Sequence, residues 1–256
     1  MIHPTAVIAD GATLADDVEI GPYAVIGAQV QIATGCRIGA HSVITGNTQI
    51  GENTKIFHFA SIGEEPQDKK FQGEASMLII GRNNTIREYV TINRGTRDGG
   101  GITRLGDNNW IMAYSHIAHD CQVGSNCVLA NGATLAGHVT VGDYVTFAGF
   151  SGSHQFCHIG SYAFLGMYGG VNLDVPAYVM VSGQPPRPRS VNSEGLKRCG
   201  FTEQQIREIK QAYKILYRQG YSQQDALEEI RLRSQQQPVL NLMVESIEAG
   251  SRGLLR

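Results

Sequence analysis

One large hydrophobic residue recurs every six positions along most of this chain. The spacing is unbroken over residues 2–62, returns over 80–92, and runs again over 105–171 with one lapse at Ser153. A six-residue unit cannot bury its single large side chain alone, so successive units must stack around a shared interior. The repeat therefore predicts a mainly β protein with the architecture of a parallel β-helix.

The hexapeptides also share a composition. In "IGPYAV IGAQVQ IATGCR IGAHSV", residues 20–43, a glycine or another small residue follows the aliphatic one, and the fifth position is small in most units. The pattern resembles the hexapeptide-repeat acyltransferases, a superfamily in which three hexapeptides form one turn of a triangular, left-handed β-helix. The left hand is implied by this resemblance, because the general rule for parallel crossovers predicts a right hand.

Two polar, turn-rich stretches interrupt the repeat. Residues 64–78 and 94–104 are predicted to protrude as loops, either for binding or assembly or as tolerated surface insertions. The repeat ends near the proline-rich "GQPPRPRS" at 183–190. We expect a left-handed parallel β-helix over 1–185 and a small α-helical C-terminal domain over 186–256.

Helical periodicity replaces the six-residue spacing beyond the prolines. Thr202 and Gln205 have capping-box spacing, and Gly220 can end the helix that they begin. A second helix is predicted to start at Ser222 and a third to span 238–250. The first helix has an apolar stripe formed by Ile206, Ile209, Tyr213 and Leu216.

Composition excludes several classes of function. The formal net charge of −2 predicts no general affinity for nucleic acid or for anionic membrane surfaces. No apolar run is long enough to span a bilayer, and the N-terminus lacks the features of a signal peptide, so we expect a cytoplasmic protein with no membrane span. The five cysteines have no CxxC spacing, so they indicate neither a disulfide framework nor a metal site, and no cofactor is expected.

The segment "AYSHIAHDCQVG" at 113–124 concentrates titratable side chains. If three hexapeptides form one turn, Ile117, Leu135 and Ser153 stack on one face at intervals of about 4.8 Å. Four histidines lie within three residues of these positions, so they should fall on the same face within about 10 Å of one another. They are His116, His119, His138 and His154.

Histidine suits general-base chemistry, because its unperturbed pKa lies near neutrality. His119 is followed by Asp120, which could orient the base. Neighbours in a strand point to opposite faces, so the two side chains can pair only if the chain bends at a corner. The Gly137 amide could donate to a developing oxyanion, since glycine lets a reacting group approach the backbone closely.

Longer motifs narrow the resemblance to one family. The segments "NRGT" at 93–96, "HIAHDC" at 116–121, "SHQFC" at 153–157 and "VNSEGLKRCGF" at 191–201, with the terminal "RGLLR", resemble the UDP-N-acetylglucosamine 3-O-acyltransferases. The resemblance covers nearly the whole chain. It implies transfer of an R-3-hydroxyacyl group from acyl carrier protein to the glucosamine 3-hydroxyl of UDP-N-acetylglucosamine, the first step of lipid A synthesis, by a homotrimer with active sites between neighbours.

The same resemblance assigns individual residues. His119 matches the general base, Asp120 its orienting partner and Gly137 the oxyanion amide. Met167 matches a position at the distal end of the acyl groove, where a small residue leaves room for a longer chain. Methionine there implies a hydroxyacyl chain of about ten carbons, unless Met167 merely fills the repeat interior. The matches to substrate-binding residues are Gln67, Asp68, Lys70, His116, His138, His154, Gln155, Asn192, Glu194 and Arg198.

A basic row lies beside the apolar stripe of the first predicted helix, formed by Arg207, Lys210, Lys214 and Arg218. Acyl carrier protein is strongly acidic, so this row is a candidate docking face for it. The alternative is a plain solvated helix face with no partner.

Three other functions stay open from the residues alone. A related sugar-nucleotide N-acyltransferase would use the same base on a 3-amino acceptor. A zinc carbonic anhydrase built on the same β-helix would use histidines as metal ligands. A non-catalytic ice-binding or assembly scaffold would carry flat outward ladders, often of threonine, and would have no need of stacked histidines.

Overall fold

The six-residue repeat folds into short strands separated by tight corners, in a computed structural model that describes residues 1–256. Within a typical strand the first residue faces outward and the second faces the interior, as Arg37 and Ile38 do. In chain order the strands are β1 Val7–Ile8, β2 Thr13–Leu14, β3 Glu19–Ile20, β4 Val25–Ile26, β5 Gln31–Ile32, β6 Arg37–Ile38, β7 Val43–Ile44, β8 Asn47–Ile50, β9 Lys55–Ile56, β10 Ser61–Glu64, β11 Met77–Ile80, β12 Thr85–Ile86, β13 Thr91–Asn93, β14 Ile102–Leu105, β15 Trp110–Ile111, β16 His116–Ile117, β17 Gln122–Val123, β18 Val128–Leu129, β19 Thr134–Leu135, β20 Thr140–Val141, β21 Thr146–Phe147, β22 Gly152–Ser153, β23 His158–Ile159, β24 Phe164–Leu165, β25 Gly170–Val171, β26 Val179–Ser182 and β27 Arg187–Val191.

Strands three apart in sequence pair in parallel, which gives one sheet for each side of a triangular prism. The first face begins with β1, β4 and β7, the second with β2, β5 and β8, and the third with β3, β6 and β9. Three strands and three corners make one coil. On the first face Ile117 pairs with Leu135, and Leu135 pairs with Ser153, as the repeat predicts.

The recurring aliphatic side chains fill the prism. Ile26, Ile44, Ile62, Ile86 and Ile117 are completely buried. Burial of one such side chain contributes about 1.5–3 kcal/mol relative to exposure, so the stacked interior is the main source of stability. It holds the outward residues of successive coils in fixed register.

The corners require a left-handed backbone, with φ between 54° and 72° at residues other than glycine. This conformation costs roughly 1–2 kcal/mol for an ordinary L-residue, and stacking of rings in successive coils offsets part of it. The aromatic corner consists of Tyr23, His41, Phe59, Tyr89, Tyr114, Phe150 and Tyr168. The histidine corner consists of Asp120, His138 and Phe156. The third corner consists of Asn53, Asn83, Asn108, Asn126, Tyr144, Tyr162 and Tyr178.

Two loops leave the β-helix where the repeat is interrupted, with narrower bounds than the sequence predicts. The first loop is 65–76 and the second is 94–101. Residues 64, 77–78 and 102–104 were predicted to be loop but lie in strands, because β10 pairs with β13 and β11 pairs with β14. The second loop contains a single 3-10 turn, Arg97–Gly99, which the Thr96 side chain caps.

The C-terminal region contains helices α1 Ser193–Arg198, α2 Glu203–Arg218, α3 Gln223–Ser234 and α4 Asn241–Ala249. The predicted capping box of Thr202 and Gln205 is present at α2, and its predicted apolar stripe is buried. Residues 187–191 were predicted to lie in the helical domain but form β27, which pairs antiparallel with β26 on the third face. None of these helices combines the length and apolar character that a membrane crossing requires.

Candidate active site

His119 and Asp120 lie at the corner that follows β16. Asp120 has a φ of 61°, so the chain bends between the two residues. This bend turns both side chains to the same side, and His119 Nδ1 lies 2.7 Å from Asp120 Oδ2. The geometric condition that the sequence left open for this pair is therefore met.

The Asp120 carboxylate is buried but well supplied with donors. Its oxygens accept hydrogen bonds from the Thr96 backbone N–H at 2.8 Å and from the Thr96 hydroxyl at 2.6 Å. Burial alone would raise the pKa of Asp120, but the hydrogen bonds from His119 and Thr96 outweigh it and lower the pKa below its ordinary value. Asp120 is therefore an anion near neutral pH and can only accept hydrogen bonds.

The ionised carboxylate determines which nitrogen of His119 carries the proton. Because Asp120 only accepts, His119 Nδ1 must donate to it, and in the neutral ring Nε2 then keeps a free lone pair. The His119 side chain is only 13% exposed. The pair thus has the arrangement of an oriented general base.

Gly137 lies directly against the His119 ring. A Cβ on Gly137 would come within 2.6 Å of His119 Cε1 and 2.8 Å of His119 Nε2, so only glycine fits beside the ring in this position. The Gly137 N–H donates no hydrogen bond within the chain. An unpaired backbone donor therefore lies next to the histidine that carries the free lone pair.

His138 completes the cluster at the histidine corner. Its ring is perpendicular to that of His119 at a centroid distance of 5.1 Å, and it stacks on Phe156 at 4.4 Å. Burial lowers the pKa of His138, against the opposing charges of Asp120, Asp68 and Asp98. His138 is therefore predominantly neutral near pH 7 and can offer both a donor and an acceptor.

The other predicted residues of this region lie on β16, next to the histidine corner or on the first loop. His116 Nδ1 lies 2.7 Å from the Thr91 hydroxyl, and burial lowers the pKa of His116. His154 and Gln155 are exposed on the turn just before Phe156. The first loop contributes Asp68, whose charge acts on His138, together with Gln67 and Lys70.

Three predicted residues lie elsewhere in the chain. Asn192 caps α1 by accepting from the Gly195 N–H, and its amide donates to the Tyr162 carbonyl at 3.0 Å. This contact anchors α1, with the exposed Glu194 and Arg198, on the third corner. A single chain therefore does not bring these residues to the histidine corner.

Met167 and the basic row are both on the surface. Met167 is 62% exposed, so the alternative in which it fills the repeat interior is wrong. Its Cε lies 3.8 Å from the position that a Cβ on Gly149 would occupy. The basic row is exposed along α2, and its members are Arg207, Lys210, Lys214 and Arg218.

The cluster also has the donor types of a metal site. The ligand atoms of His119, Asp120 and His138 lie within 4.8 Å of one another. However, both Asp120 oxygens already accept hydrogen bonds from Thr96, and one also accepts from His119. A metal ion would have to displace the contact that orients His119, so the arrangement fits a hydrogen-bonded base better than a metal centre.

Thr96, which donates to both oxygens of Asp120, was not identified as a site residue from the sequence. It lies in the second loop, 24 residues before Asp120, and belongs to the quoted segment "NRGT". The repeat gives no register for a loop that leaves it, so the spacing could not bring Thr96 to Asp120. The motif itself was the available signal.

Family models match both parts of the chain. The model described as bacterial transferase hexapeptide (six repeats) matches residues 11–46 and 102–137. The model described as UDP N-acetylglucosamine O-acyltransferase, domain 2, matches residues 174–255. The repeats and the helical region therefore each carry a family signature.

Full-length relatives and solved structures agree with these matches. Acyl-[acyl-carrier-protein]–UDP-N-acetylglucosamine O-acyltransferases from Xylella fastidiosa and Xanthomonas oryzae are 54% and 56% identical over 257 residues, which cover 100% of this chain and 98% of each relative. The UDP-N-acetylglucosamine acyltransferase from Francisella novicida superposes with a TM-score of 0.98 at 43% identity, covering 100% of this chain and 94% of that one. LpxA from Acinetobacter baumannii gives 0.97 at 43% identity, covering 100% and 99%. The fold is the left-handed parallel β-helix that the repeat and its resemblance predicted, and the chain belongs to the acyl-[acyl-carrier-protein]–UDP-N-acetylglucosamine O-acyltransferase family.

Proposed function

We propose that this enzyme transfers an R-3-hydroxyacyl group from acyl carrier protein to the 3-hydroxyl of the glucosamine in UDP-N-acetylglucosamine. Its relatives from Xylella fastidiosa and Xanthomonas oryzae are named for the acyl carrier protein and the sugar nucleotide, which supports both substrates here. The observation that carries the chemistry is the 2.7 Å contact between His119 Nδ1 and Asp120 Oδ2 beside Gly137. It provides a base with a free nitrogen next to an unpaired backbone donor.

In the proposed reaction His119 Nε2 removes the proton of the sugar 3-hydroxyl as the hydroxyl oxygen attacks the thioester carbonyl carbon. The histidine becomes an imidazolium, and the Asp120 carboxylate stabilises that charge. The carbonyl oxygen becomes an oxyanion, and the Gly137 N–H is the proposed donor to it.

Collapse of the tetrahedral intermediate re-forms the carbonyl and breaks the carbon–sulfur bond. The leaving sulfur takes the proton from the His119 imidazolium, which returns the base to its neutral form and releases the carrier protein thiol. One ester forms as one thioester is consumed, and no acyl-enzyme is needed.

Substrate recognition is assigned to the polar groups around the cluster. His138, held between His119 and Phe156, offers a neutral ring to hydroxyl groups of the sugar or the acyl chain. The first loop carries the Asp68 carboxylate, whose charge acts on His138, and the Lys70 ammonium group. The proposed contacts near the histidine corner are Gln67, Asp68, Lys70, His116, His138, His154 and Gln155.

The nucleotide contacts are proposed to come from a neighbouring copy of this chain. Glu194 and Arg198 stand on α1 at the third corner, whereas the base lies at the histidine corner. The aromatic corner supports association, because Tyr114, Phe150 and Tyr168 are 64%, 60% and 56% exposed. In the homotrimer that we propose, Arg198 of one copy meets the diphosphate bound beside His119 of the next, while Asn192 holds α1 in place.

A mixing experiment tests the shared site. His119→Ala and Arg198→Ala chains are each expected to be inactive alone. When they are unfolded and refolded together, part of the activity should return, because some sites then combine His119 of an Arg198→Ala chain with Arg198 of a His119→Ala chain. Absence of any recovery, with assembly verified by light scattering, would contradict a shared site.

Met167 is proposed to limit the acyl chain. Its exposed side chain projects over Gly149, where a methionine shortens a groove that a glycine would leave open. We expect a preference for about ten carbons, and Met167→Gly should shift it towards longer chains. An unchanged preference in the variant would remove this assignment and leave the reaction itself intact.

The basic row of α2 is proposed to bind the acidic carrier protein. Reversing the charge of Lys210 and Lys214 should raise the Michaelis constant for the acyl carrier protein and leave that for the sugar nucleotide unchanged. Raising the salt concentration should have the same selective effect on the unmodified enzyme.

One assay tests the reaction as a whole. The purified enzyme is incubated with UDP-N-acetylglucosamine and R-3-hydroxyacyl carrier proteins of graded length, and products are identified by mass. His119→Ala should abolish transfer, whereas His3→Ala, which changes an exposed histidine, should not. Transfer only to the 3-amino analogue of the sugar nucleotide would instead support the N-acyltransferase alternative.

A further inference from the structure

The Thr96 hydroxyl joins the second loop to the proposed catalytic pair. Thr96 is only 5% exposed. Its hydroxyl lies 2.6 Å from Asp120 Oδ2, the same oxygen that contacts His119 Nδ1. Gly99 approaches from the same loop, and a Cβ on it would overlap the Asp120 carboxyl group. The loop therefore packs directly on the carboxylate that orients the base.

The hydrogen bonds of Thr96 fix the direction in which its hydroxyl donates. A hydroxyl has one proton and two lone pairs. The Gly99 N–H donates to the Thr96 hydroxyl oxygen at 3.2 Å and also to the Thr96 carbonyl oxygen. It therefore occupies one lone pair of the hydroxyl. The single hydroxyl proton is then available to Asp120, which as a carboxylate accepts it.

These contacts form a chain with one polarity. It runs from the Gly99 N–H to the Thr96 hydroxyl, and from that hydroxyl to Asp120 Oδ2. His119 Nδ1 donates to the same oxygen from the other side. Since every donor points towards the carboxylate, the proton of the neutral histidine stays on Nδ1 and Nε2 stays free.

We propose that Thr96 is a positioning residue for acyl transfer, which keeps Asp120 ionised and His119 in the tautomer that can act as a base. This inference rests on the proposed function of His119. It goes beyond the pair itself, because it assigns a role in the reaction to the second loop. Thr96 acts only through Asp120 and has no assigned contact with either substrate.

Other charged and titratable groups also face the pair. His138 Nε2 lies 3.8 Å from Asp120 Oδ2, and His116 lies close enough for its charge to interact with that of His119. Asp68 and Asp98 act on His138 from the two loops. None of them donates a hydrogen bond to Asp120, so removal of the Thr96 hydroxyl leaves these charges where they are.

Three variants separate hydrogen bonding from packing. Thr96→Val removes the hydroxyl and keeps the branched shape, whereas Thr96→Ser keeps the hydroxyl and removes a methyl group. Thr103→Val is the matched control, because the Thr103 hydroxyl accepts from the Asp120 backbone N–H at 2.8 Å and does not touch the carboxylate. All three are compared with the unmodified enzyme in thermal unfolding, kcat, KM and the pH profile of kcat/KM.

We expect Thr96→Val to lower kcat by about 10- to 100-fold while KM for the sugar nucleotide changes by less than about twofold. A carboxylate that loses a donor attracts a proton more strongly, so the acid limb of the profile should move to higher pH by about one unit. Thr96→Ser should recover most of kcat and the original profile. Thr103→Val should leave the position of the acid limb unchanged.

Three results would overturn the inference. Thr96→Val with an unchanged profile and kcat, measured beside an inactive His119→Ala, would reject the role of Thr96 and keep the proposed base. Equal losses in Thr96→Val and Thr96→Ser would mean that a retained hydroxyl does not preserve activity, which would reject the hydrogen bond from Thr96 to Asp120 as the cause. An active His119→Ala would reject the base itself, and the role of Thr96 with it.

Discussion

Two corners of the same β-helix have the same backbone and opposite character. At the aromatic corner Tyr89 stacks on Phe59 at 5.3 Å and on Tyr114 at 4.9 Å, with nearly parallel rings. At the histidine corner Asp120 and His138 occupy the equivalent left-handed positions, with φ values of 61° and 62° against 59° for Tyr89. Identical geometry thus supports a stabilising ladder at one corner and titratable groups at the other.

The second loop is what distinguishes the histidine corner. It packs beside Asp120 and brings the backbone and hydroxyl donors of Thr96 to a carboxylate whose side chain is 0% exposed. The corresponding rings at the aromatic corner stand open to solvent, with Tyr89 42% exposed. The repeat therefore supplies positions, and the interruption of the repeat supplies the environment that alters the chemistry of one of them.

Of the substitutions that compare the two corners, replacement of Asp120 by asparagine should have the largest effect on activity. Asparagine tolerates the left-handed backbone, so Asp120→Asn should fold. Its amide cannot stabilise an imidazolium as a carboxylate does, and its NH₂ group can face His119 Nδ1 and force the proton onto Nε2. We expect kcat to fall on the order of 10³-fold, measured with saturating substrates. Activity close to that of the unmodified enzyme would contradict a role for Asp120 in orienting the base.

Adding one methyl group just before each corner should give the next largest contrast. Gly137→Ala drives a Cβ into the His119 ring, so we expect kcat to fall about 100-fold as the ring moves away from the reacting hydroxyl. Gly149→Ala is the matched control, because its Cβ meets nothing closer than 3.7 Å. It should melt at the temperature of the unmodified enzyme and keep its activity with a ten-carbon acyl donor, which Met167 is proposed to accommodate. Similar losses in both variants would show that these corners do not tolerate alanine for reasons unrelated to His119.

The sequence predicted what depends on the repeat. The spacing of six gave the parallel coils, the pairing of Ile117 with Leu135 and Ser153, and hence the proximity of His119 to His138. It could not decide whether His119 and Asp120 meet, because that depends on a left-handed φ that aspartate only occasionally adopts. It could not find Thr96, since the path of an inserted loop is set by its own packing.

In the C-terminal region, too, local sequence signals predicted some elements and long-range pairing determined others. Local signals predicted α2 and α3 well, because the capping residues Thr202 and Ser222 act within one helical turn. The proline-rich segment was predicted to end the β structure, yet 187–191 adds an antiparallel strand to the third face. Pro188 is compatible with this strand because β27 lies at the edge of its sheet, where a residue without a backbone N–H does not interrupt the pairing. Long-range pairing of this kind leaves no local periodicity to detect.

The same asparagine substitution at the aromatic corner should affect stability instead of catalysis. Tyr89→Asn keeps the left-handed backbone but removes two stacked contacts, each worth about 0.5–1.5 kcal/mol. We therefore expect a loss of about 1–3 kcal/mol in the free energy of unfolding, measured by denaturant titration, with kcat unchanged. A loss of activity without a loss of stability would reverse the distinction drawn between the two corners.

Acid should weaken the histidine corner selectively, and this is the smallest of the expected effects. Burial lowers the pKa of His138 below the ordinary histidine value of 6.5. Below that pH the unfolded chain binds a proton that the folded chain does not, so the contribution of His138 to stability is lost as the pH falls from 6.5 towards its folded pKa.

His138→Asn, which suits the φ of 62°, should remove this contribution. The decrease in melting temperature between pH 7 and pH 5 should then be smaller in the variant than in the unmodified enzyme, whereas Tyr89→Asn should keep the full decrease. An equal decrease in all three proteins would locate the acid sensitivity outside the histidine corner.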